Sequence, residues 1–387
     1  MPFGLLIPAI LVGTAAALCL LPSPRSWRAR RLVFFACVVL NEQPHWFAAL
    51  IFVSAVLAIV SGDITSTVGW LAIPIAAIVI VELGVILRRA RPSRRILREE
   101  IRRELGDEAV RRLAGPAPVL STLLRPWPVR PRRVRRIGPI SYGPEGRMNL
   151  LDVYLPRTGE VSGPTLVFLH GGGFHSGSRR RESKAMFHRL AGEGWFCVSA
   201  DYRVGRSARF PDYVIDLKRV IAWVRGEGVE LGADPDRLFV AGSSAGAHIA
   251  SVAALTPGRP EFQPGFEEVD TRISGVIGMG GYYSRIEFQE RRYPEVRNSG
   301  PADYLGPGAP PFLIVHGDHD SLVPLANPDA FVRALREAGA SVTEVILPGA
   351  HHGFDLTRSL RSESVVDAIQ DFTGAVTGPD RACRNLL

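Results

Sequence analysis

Arg237-Leu238-Phe239-Val240-Ala241-Gly242-Ser243-Ser244-Ala245-Gly246-Ala247-His248 is the stretch whose reading decides the fold. Its first five residues have the apolar character of a short buried strand, and the alanine-rich run after Gly246 has that of a helix. A serine at the apex of a tight, glycine-flanked strand-to-helix turn holds its hydroxyl clear of its own backbone, so Ser244 is a candidate covalent nucleophile. Glycine fills 39 of 387 positions, and at that frequency Gly-x-Ser-x-Gly turns up by chance in about one chain in five. The turn therefore needs partners.

Three partners are present. Upstream, the apolar run Thr165–Leu169 leads into His170-Gly171-Gly172-Gly173-Phe174, where side-chain-free residues leave backbone N–H groups able to face a developing negative charge. No Lys-Ser/Thr follows these glycines, which argues against a phosphate loop. Downstream, Pro311–Val315 ends in His316-Gly317-Asp318-His319-Asp320. A carboxylate just past a strand end can accept the imidazole N–H of a catalytic histidine; Asp320 is the first choice and Asp318 the competitor. Last comes His352, in Pro348-Gly349-Ala350-His351-His352-Gly353-Phe354, a loop histidine among small residues that can reach over the serine. His351 is its adjacent competitor.

Apolar strand-like runs at 150–154, 166–169, 196–200, 238–241, 276–279, 312–315 and 342–347 alternate with helical stretches at 184–192, 213–225, 245–254, 328–338 and 363–373. Such alternation predicts an α/β fold, a mostly parallel sheet with helices on both faces. The order Ser, Asp, His, together with HGGGF, GSSAGAH, HGDHDSLVP, HHGF and the entry segment Leu151–Pro156, makes residues 137–373 resemble an α/β-hydrolase of the esterase/lipase type. Ser243 stands where hormone-sensitive-lipase relatives usually carry Asp, which shifts the resemblance toward the feruloyl-esterase-like and formamidase-like branch. The resemblance implies Ser244 as nucleophile, His352 as base and Asp320 as its orienting carboxylate. It further implies Gly172, Gly173 and Ala245 as oxyanion donors and His170 as a brace of their loop, with a carboxylic ester as substrate and no cofactor. His248, one helical turn after Ser244, is expected to be structural. Residues 282–310, rich in Tyr, are expected to form a small cap. The alternatives are an amidase or formamidase of the same fold, and a catalytically silent hydrolase-fold scaffold.

The N-terminal third reads differently. Leu5–Leu21, Trp46–Val60 and Val68–Leu87 are nearly uncharged and apolar, and three transmembrane helices are expected. Leu32–Leu40 reads as a re-entrant or interfacial piece, or half of a kinked helix. Asn41-Glu42 after it should face the interface or a helix partner. A cleaved signal peptide is disfavoured, because no basic residue precedes the first apolar run. Arg25, Arg28, Arg30 and Arg31, like Arg88, Arg89, Arg91, Arg94 and Arg95, flank these segments, whereas 61–67 carries only Asp63. The positive-inside rule then places the hydrolase in the cytoplasm.

Between the two regions, Leu97, Ile101, Leu105, Ala109 and Leu113 recur every four residues as an amphipathic helix that lies on the membrane or docks on the hydrolase. Gly115–Pro118 ends it, and Arg125–Arg136 is a proline-rich basic linker. The organisation expected is therefore 1–95 transmembrane, 96–136 helix and linker, 137–375 α/β-hydrolase and 376–387 a disordered tail. The net charge of +8 comes from arginines beside the apolar segments. That suits anionic membrane lipids as partners rather than nucleic acid. Cys19, Cys37, Cys197 and Cys383 have no paired spacing, so neither a disulfide framework nor a metal site is expected.

Overall fold

A computed structural model describes residues 3–65, 67–110, 119–205 and 207–378. Leu113, Gly115–Pro118, Cys383 and all of the tail after Gly378 lie outside them. The N-terminal third is helical: α1 (Phe3–Leu20), α2 (Trp27–Cys37), α3 (Pro44–Val60) and α4 (Thr67–Ala90). Of the three expected spans, the helical stretch containing α4, Gly69–Leu105, is long and apolar enough to cross a membrane by length and composition; Gly4–Leu20 and Pro44–Val60 are shorter apolar helices. The 32–40 segment forms a separate helix, capped by the Ser26 hydroxyl, which accepts from the Ala29 N–H at 3.3 Å. It ends in a turn before Pro44. Ala9, Ala16, Ile51, Ala76, Val79 and Leu83 form the interior of this bundle.

The amphipathic segment folds as α5 (Ser93–Leu105) and docks on the hydrolase rather than lying free. Leu97 and Ile101 are fully buried in the core of the sheet domain, and Arg94 reaches Asp367 at 2.6 Å. A short α6 (Val119–Leu124) follows within the linker.

Eight strands then build one sheet: β1 (Val134–Ser141), β2 (Leu150–Pro156), β3 (Thr165–Leu169), β4 (Phe196–Ala200), β5 (Leu238–Ser243), β6 (Gly275–Met279), β7 (Phe312–Gly317) and β8 (Val342–Leu347). Their spatial order is β1-β2-β4-β3-β5-β6-β7-β8. The first two pairings are antiparallel and the rest parallel. Pairing of Val134–Arg136 with Pro156–Tyr154 starts the sheet inside the stretch read as linker.

The remaining helices are α7 (Lys184–Gly192), α8 (Asp212–Trp223), α9 (Ala245–Leu255), α10 (Glu287–Arg292), α11 (Ala326–Glu337) and α12 (Leu360–Thr377). Side chains alternate across the pleat, so Val167, Val240 and Ile314 pack with α8, α9 and α11, while Phe168, Phe239 and Leu313 pack with α5, α7 and α12. Burial on both faces explains why the central strands read as continuous apolar runs. The carboxyl ends of β3, β5 and β7 open toward one edge, where the loops carrying His170, Ser244 and Asp320 begin.

Candidate active site

Ser244 has φ 52° and ψ −115° between β5 and α9, a strained conformation for a residue with a side chain. Its flanking glycines make that turn possible. A Cβ on Gly242 would lie 2.2 Å from the Gly246 carbonyl carbon, and one on Gly246 would lie 2.2 Å from the Leu169 oxygen. β5, α9 and the end of β3 thus approach more closely than any side chain allows.

Asp320 and Asp318 diverge. Asp320, on the turn after β7, places Oδ2 2.7 Å from His352 Nδ1, while its Oδ1 accepts the N–H groups of Leu322 and Val323 at 2.9 and 2.8 Å. Asp318 instead accepts the Gly349 N–H at 2.6 Å and binds His319, bracing the loop from outside. His351 Nε2 lies 3.1 Å from the Cys19 carbonyl oxygen.

Met279–Gly280 lies beside both the Ser244 backbone and His352. The Ser244 N–H donates to the Met279 carbonyl at 3.0 Å. A Cβ built on the next residue, Gly280, would lie 3.6 Å from His352 Nδ1 and 3.7 Å from Asp320 Oδ2.

Burial alone would depress the His352 pKa, but the charge and hydrogen bond of Asp320 outweigh it and hold the imidazole above its ordinary value. Asp320 is buried too, yet His352, His316 and the Val323 N–H hold it below the usual carboxylate range.

The glycine loop is held open from behind. The Gly171 N–H donates to Glu182 Oε2 at 2.6 Å, and the N–H groups of Gly172 and Gly173 have no partner among the described residues. Ala245 is the first residue of α9, where backbone N–H groups lack intrahelical acceptors. His170 stacks on Tyr202 at 4.4 Å, and the Tyr202 hydroxyl donates to the His170 carbonyl at 2.8 Å. Burial depresses the His170 pKa, so its ring is a neutral brace. His248 is enclosed by Phe174 and Tyr282, and burial pushes it down to about 4.

Several neighbours carry no motif. Asp355 accepts from Ser183 at 2.9 Å and from Ser243 at 3.3 Å, and burial with the nearby Glu182 charge pushes it up to about 6. Ser243 thus has a carboxylate partner donated by another loop. The cysteine pattern also conceals a cluster: Cys19, Cys37 and His351 each bring a donor atom within 4.8 Å of the others, from three separate elements. In the 282–310 segment, Tyr283 stacks on Phe331 and Tyr304 packs against Phe262, so both serve the core. Tyr282 packs against His248 and Phe288 against His175.

The sheet order and the elbow at Ser244 define an α/β-hydrolase of the esterase type. Residues 151–282 match the BD-FAE family. The "Probable carboxylic ester hydrolase LipM" of Mycobacterium tuberculosis is 35% identical over 288 residues, 67% of each chain. Esterase LipQ of the same organism is 37% identical over 263 residues, 62% of each. The butyrate-bound esterase Est2 of Thermogutta terrifontis superposes with a TM-score of 0.54 at 26% identity, over 62% of this chain and 95% of that one. The chain belongs to the family of carboxylic ester hydrolases that includes LipM.

Proposed function

We propose that this chain is a membrane-tethered serine esterase working through Ser244, His352 and Asp320. The observation that carries the proposal is the 2.7 Å contact of a buried carboxylate with His352 Nδ1, beside the backbone that holds Ser244. That contact leaves Nε2 as the basic nitrogen. Ser244 Oγ attacks the ester carbonyl carbon as its proton passes to His352 Nε2. The carbonyl oxygen becomes an oxyanion facing the N–H groups of Gly172, Gly173 and Ala245. The intermediate collapses, and the alcohol leaves with the His352 proton. Water, deprotonated by His352, then attacks the acyl-enzyme; the acid departs and Ser244 regains its hydrogen. The substrates proposed are small-molecule esters and lipid esters that partition into the bilayer.

Two observations support the tether. Large apolar side chains point outward all along the bundle, among them Leu11, Phe52, Val60, Trp70 and Val81, as lipid-facing helices require. The end of α1, the start of α3 and the end of α4 all meet the hydrolase, through Cys19 with His351, Gln43 with Thr357 and Arg89 with His319. Both arginine-rich stretches therefore share the hydrolase side, which the positive-inside rule assigns to the cytoplasm.

Hydrolysis of p-nitrophenyl butyrate by membranes containing the full chain, wild type beside Ser244→Ala, tests the chemistry. Loss of turnover with the serine is expected, and equal turnover would contradict the reading. A cytosol-active reporter fused after Arg95 should be active and a periplasm-active one silent; the reverse overturns the orientation.

A further inference from the structure

The helical region meets the hydrolase at the loop that carries the catalytic histidine. Glu42 is buried in the turn between α2 and α3, with Oε1 2.9 Å from Arg361, itself fully buried, and Oε2 accepting from the Ser359 hydroxyl at 2.7 Å. On one side of Glu42, Asn41 Nδ2 donates to the Gly349 carbonyl at 3.0 Å. On the other, Gln43 Nε2 donates to Thr357 Oγ1 at 3.1 Å and to the Arg358 carbonyl at 2.8 Å. Three consecutive residues thus grip residues 349–361 on both sides of His352.

The helix before this turn reaches the site itself. Phe34, half-buried on α2, sets its ring edge-on to His352 with centroids 5.9 Å apart, and it touches Phe35 at 5.2 Å. A Cβ on Gly353 would lie 3.4 Å from Val38. Phe35, Leu32 and Trp27 extend the same helix outward, 64%, 67% and 58% exposed. An aromatic ring against the catalytic imidazole, continuous with an exposed apolar helix, is a surface along which an acyl or alkyl chain can lie.

Resting on the esterase reading above, we propose that the N-terminal region completes the active site. Phe34 is a specificity-determining wall for the apolar part of the ester, and the Asn41–Gln43 turn positions the His352 loop. A tether alone requires neither feature. A buried ion pair held by further hydrogen bonds suits a fixed register between two parts better than it suits bulk stability. The substrate class follows from the wall: esters with a medium-length or longer apolar chain, entering beside α2.

The experiment uses the full chain in membranes or detergent, with active sites counted by end-point fluorophosphonate titration. Wild type that fails to label at Ser244, while folded, would remove the underlying esterase reading before any variant is compared. With wild type labelled, Phe34→Ala should lower the ratio of kcat/KM for p-nitrophenyl octanoate over acetate by about tenfold, while Val60→Ala, on the far surface of α3, keeps the wild-type ratio. Glu42→Gln should lower kcat per titrated site on the order of tenfold with KM for the acetate unchanged, because a displaced base slows chemistry without altering binding. Gln43→Ala, which leaves the ion pair intact, should do the same more mildly and serves if Glu42→Gln does not fold. A wild-type chain-length ratio in Phe34→Ala overturns the wall, and wild-type kcat per site in the folded turn variants overturns the positioning role.

Discussion

Asp320 divides its carboxylate between two tasks: Oδ2 meets His352 Nδ1 at 2.7 Å, and Oδ1 is fixed by the N–H groups of Leu322 and Val323. The backbone bonds aim the carboxylate, which in turn sets the tautomer of the ring. Asp320→Asn keeps the shape but alters the charge and the hydrogen-bond partner, so kcat for a short-chain ester should fall by about 10⁴. Asp318→Asn, which affects only the outer brace, should cost far less. Equal losses would assign the two carboxylates the same role.

In the proposed mechanism His352 must be neutral to accept the serine proton, and Asp320 holds its pKa above the ordinary imidazole value. The acid limb of kcat/KM should therefore lie above the pH at which a free imidazole titrates. In stability terms, this raised value contributes stability that is full below the unfolded pKa and lost as pH rises through the folded one. A pH–rate profile checks the limb. A limb below the ordinary imidazole range would contradict the pairing.

Asp355 makes a separate pH prediction. Its folded pKa, pushed up to about 6 by burial and by Glu182, exceeds that of an unfolded aspartate. Stability should therefore decline as pH rises from about 4 through 6. Asp355→Asn keeps partners for Ser183 and Ser243 and should flatten that decline in thermal unfolding. It also removes a negative charge that raises the His352 pKa, so the acid limb should move to lower pH. An unchanged slope and limb would show that Asp355 does not ionise in this range.

Gly172 has φ 129°, and a Cβ there would lie 1.8 Å from the Ser176 oxygen. Gly172→Ala must displace the loop that presents the Gly172 and Gly173 N–H groups. Loss of about a hundred- to a thousandfold in kcat is expected. Full turnover in that variant would move the oxyanion site elsewhere.

His248 lies one turn beyond Ser244 but is enclosed by aromatic rings. His248→Phe should keep kcat within about tenfold of wild type, as a packing change away from the reacting atoms does. A loss comparable to that of Ser244→Ala would give it a catalytic role.

The central strands were legible because both faces of a parallel sheet are covered, which makes each one a short apolar run. β8 runs from Val342 to Leu347, the very limits read from its apolar pattern. The elbow was legible because glycine spacing is a steric requirement. β1 was not. It is an edge strand with Pro139 inside it and arginines at 135 and 136, polar features that an edge tolerates and that read as linker. Asp355 and Glu182 were invisible because their neighbours converge only in space. Asn41-Glu42 was read as facing the interface or a helix partner; the partner of Glu42 is Arg361 on α12, 319 residues away in the chain. No local pattern encodes a contact of that separation.

Fluorophosphonate labelling of the intact chain in membranes, wild type beside Ser244→Ala, tests the central claim most directly, since the probe reports an activated serine without requiring the natural ester. Labelling of the wild type and its loss in Ser244→Ala is the predicted result. A folded wild-type protein that does not label, or label retained without Ser244, would contradict it.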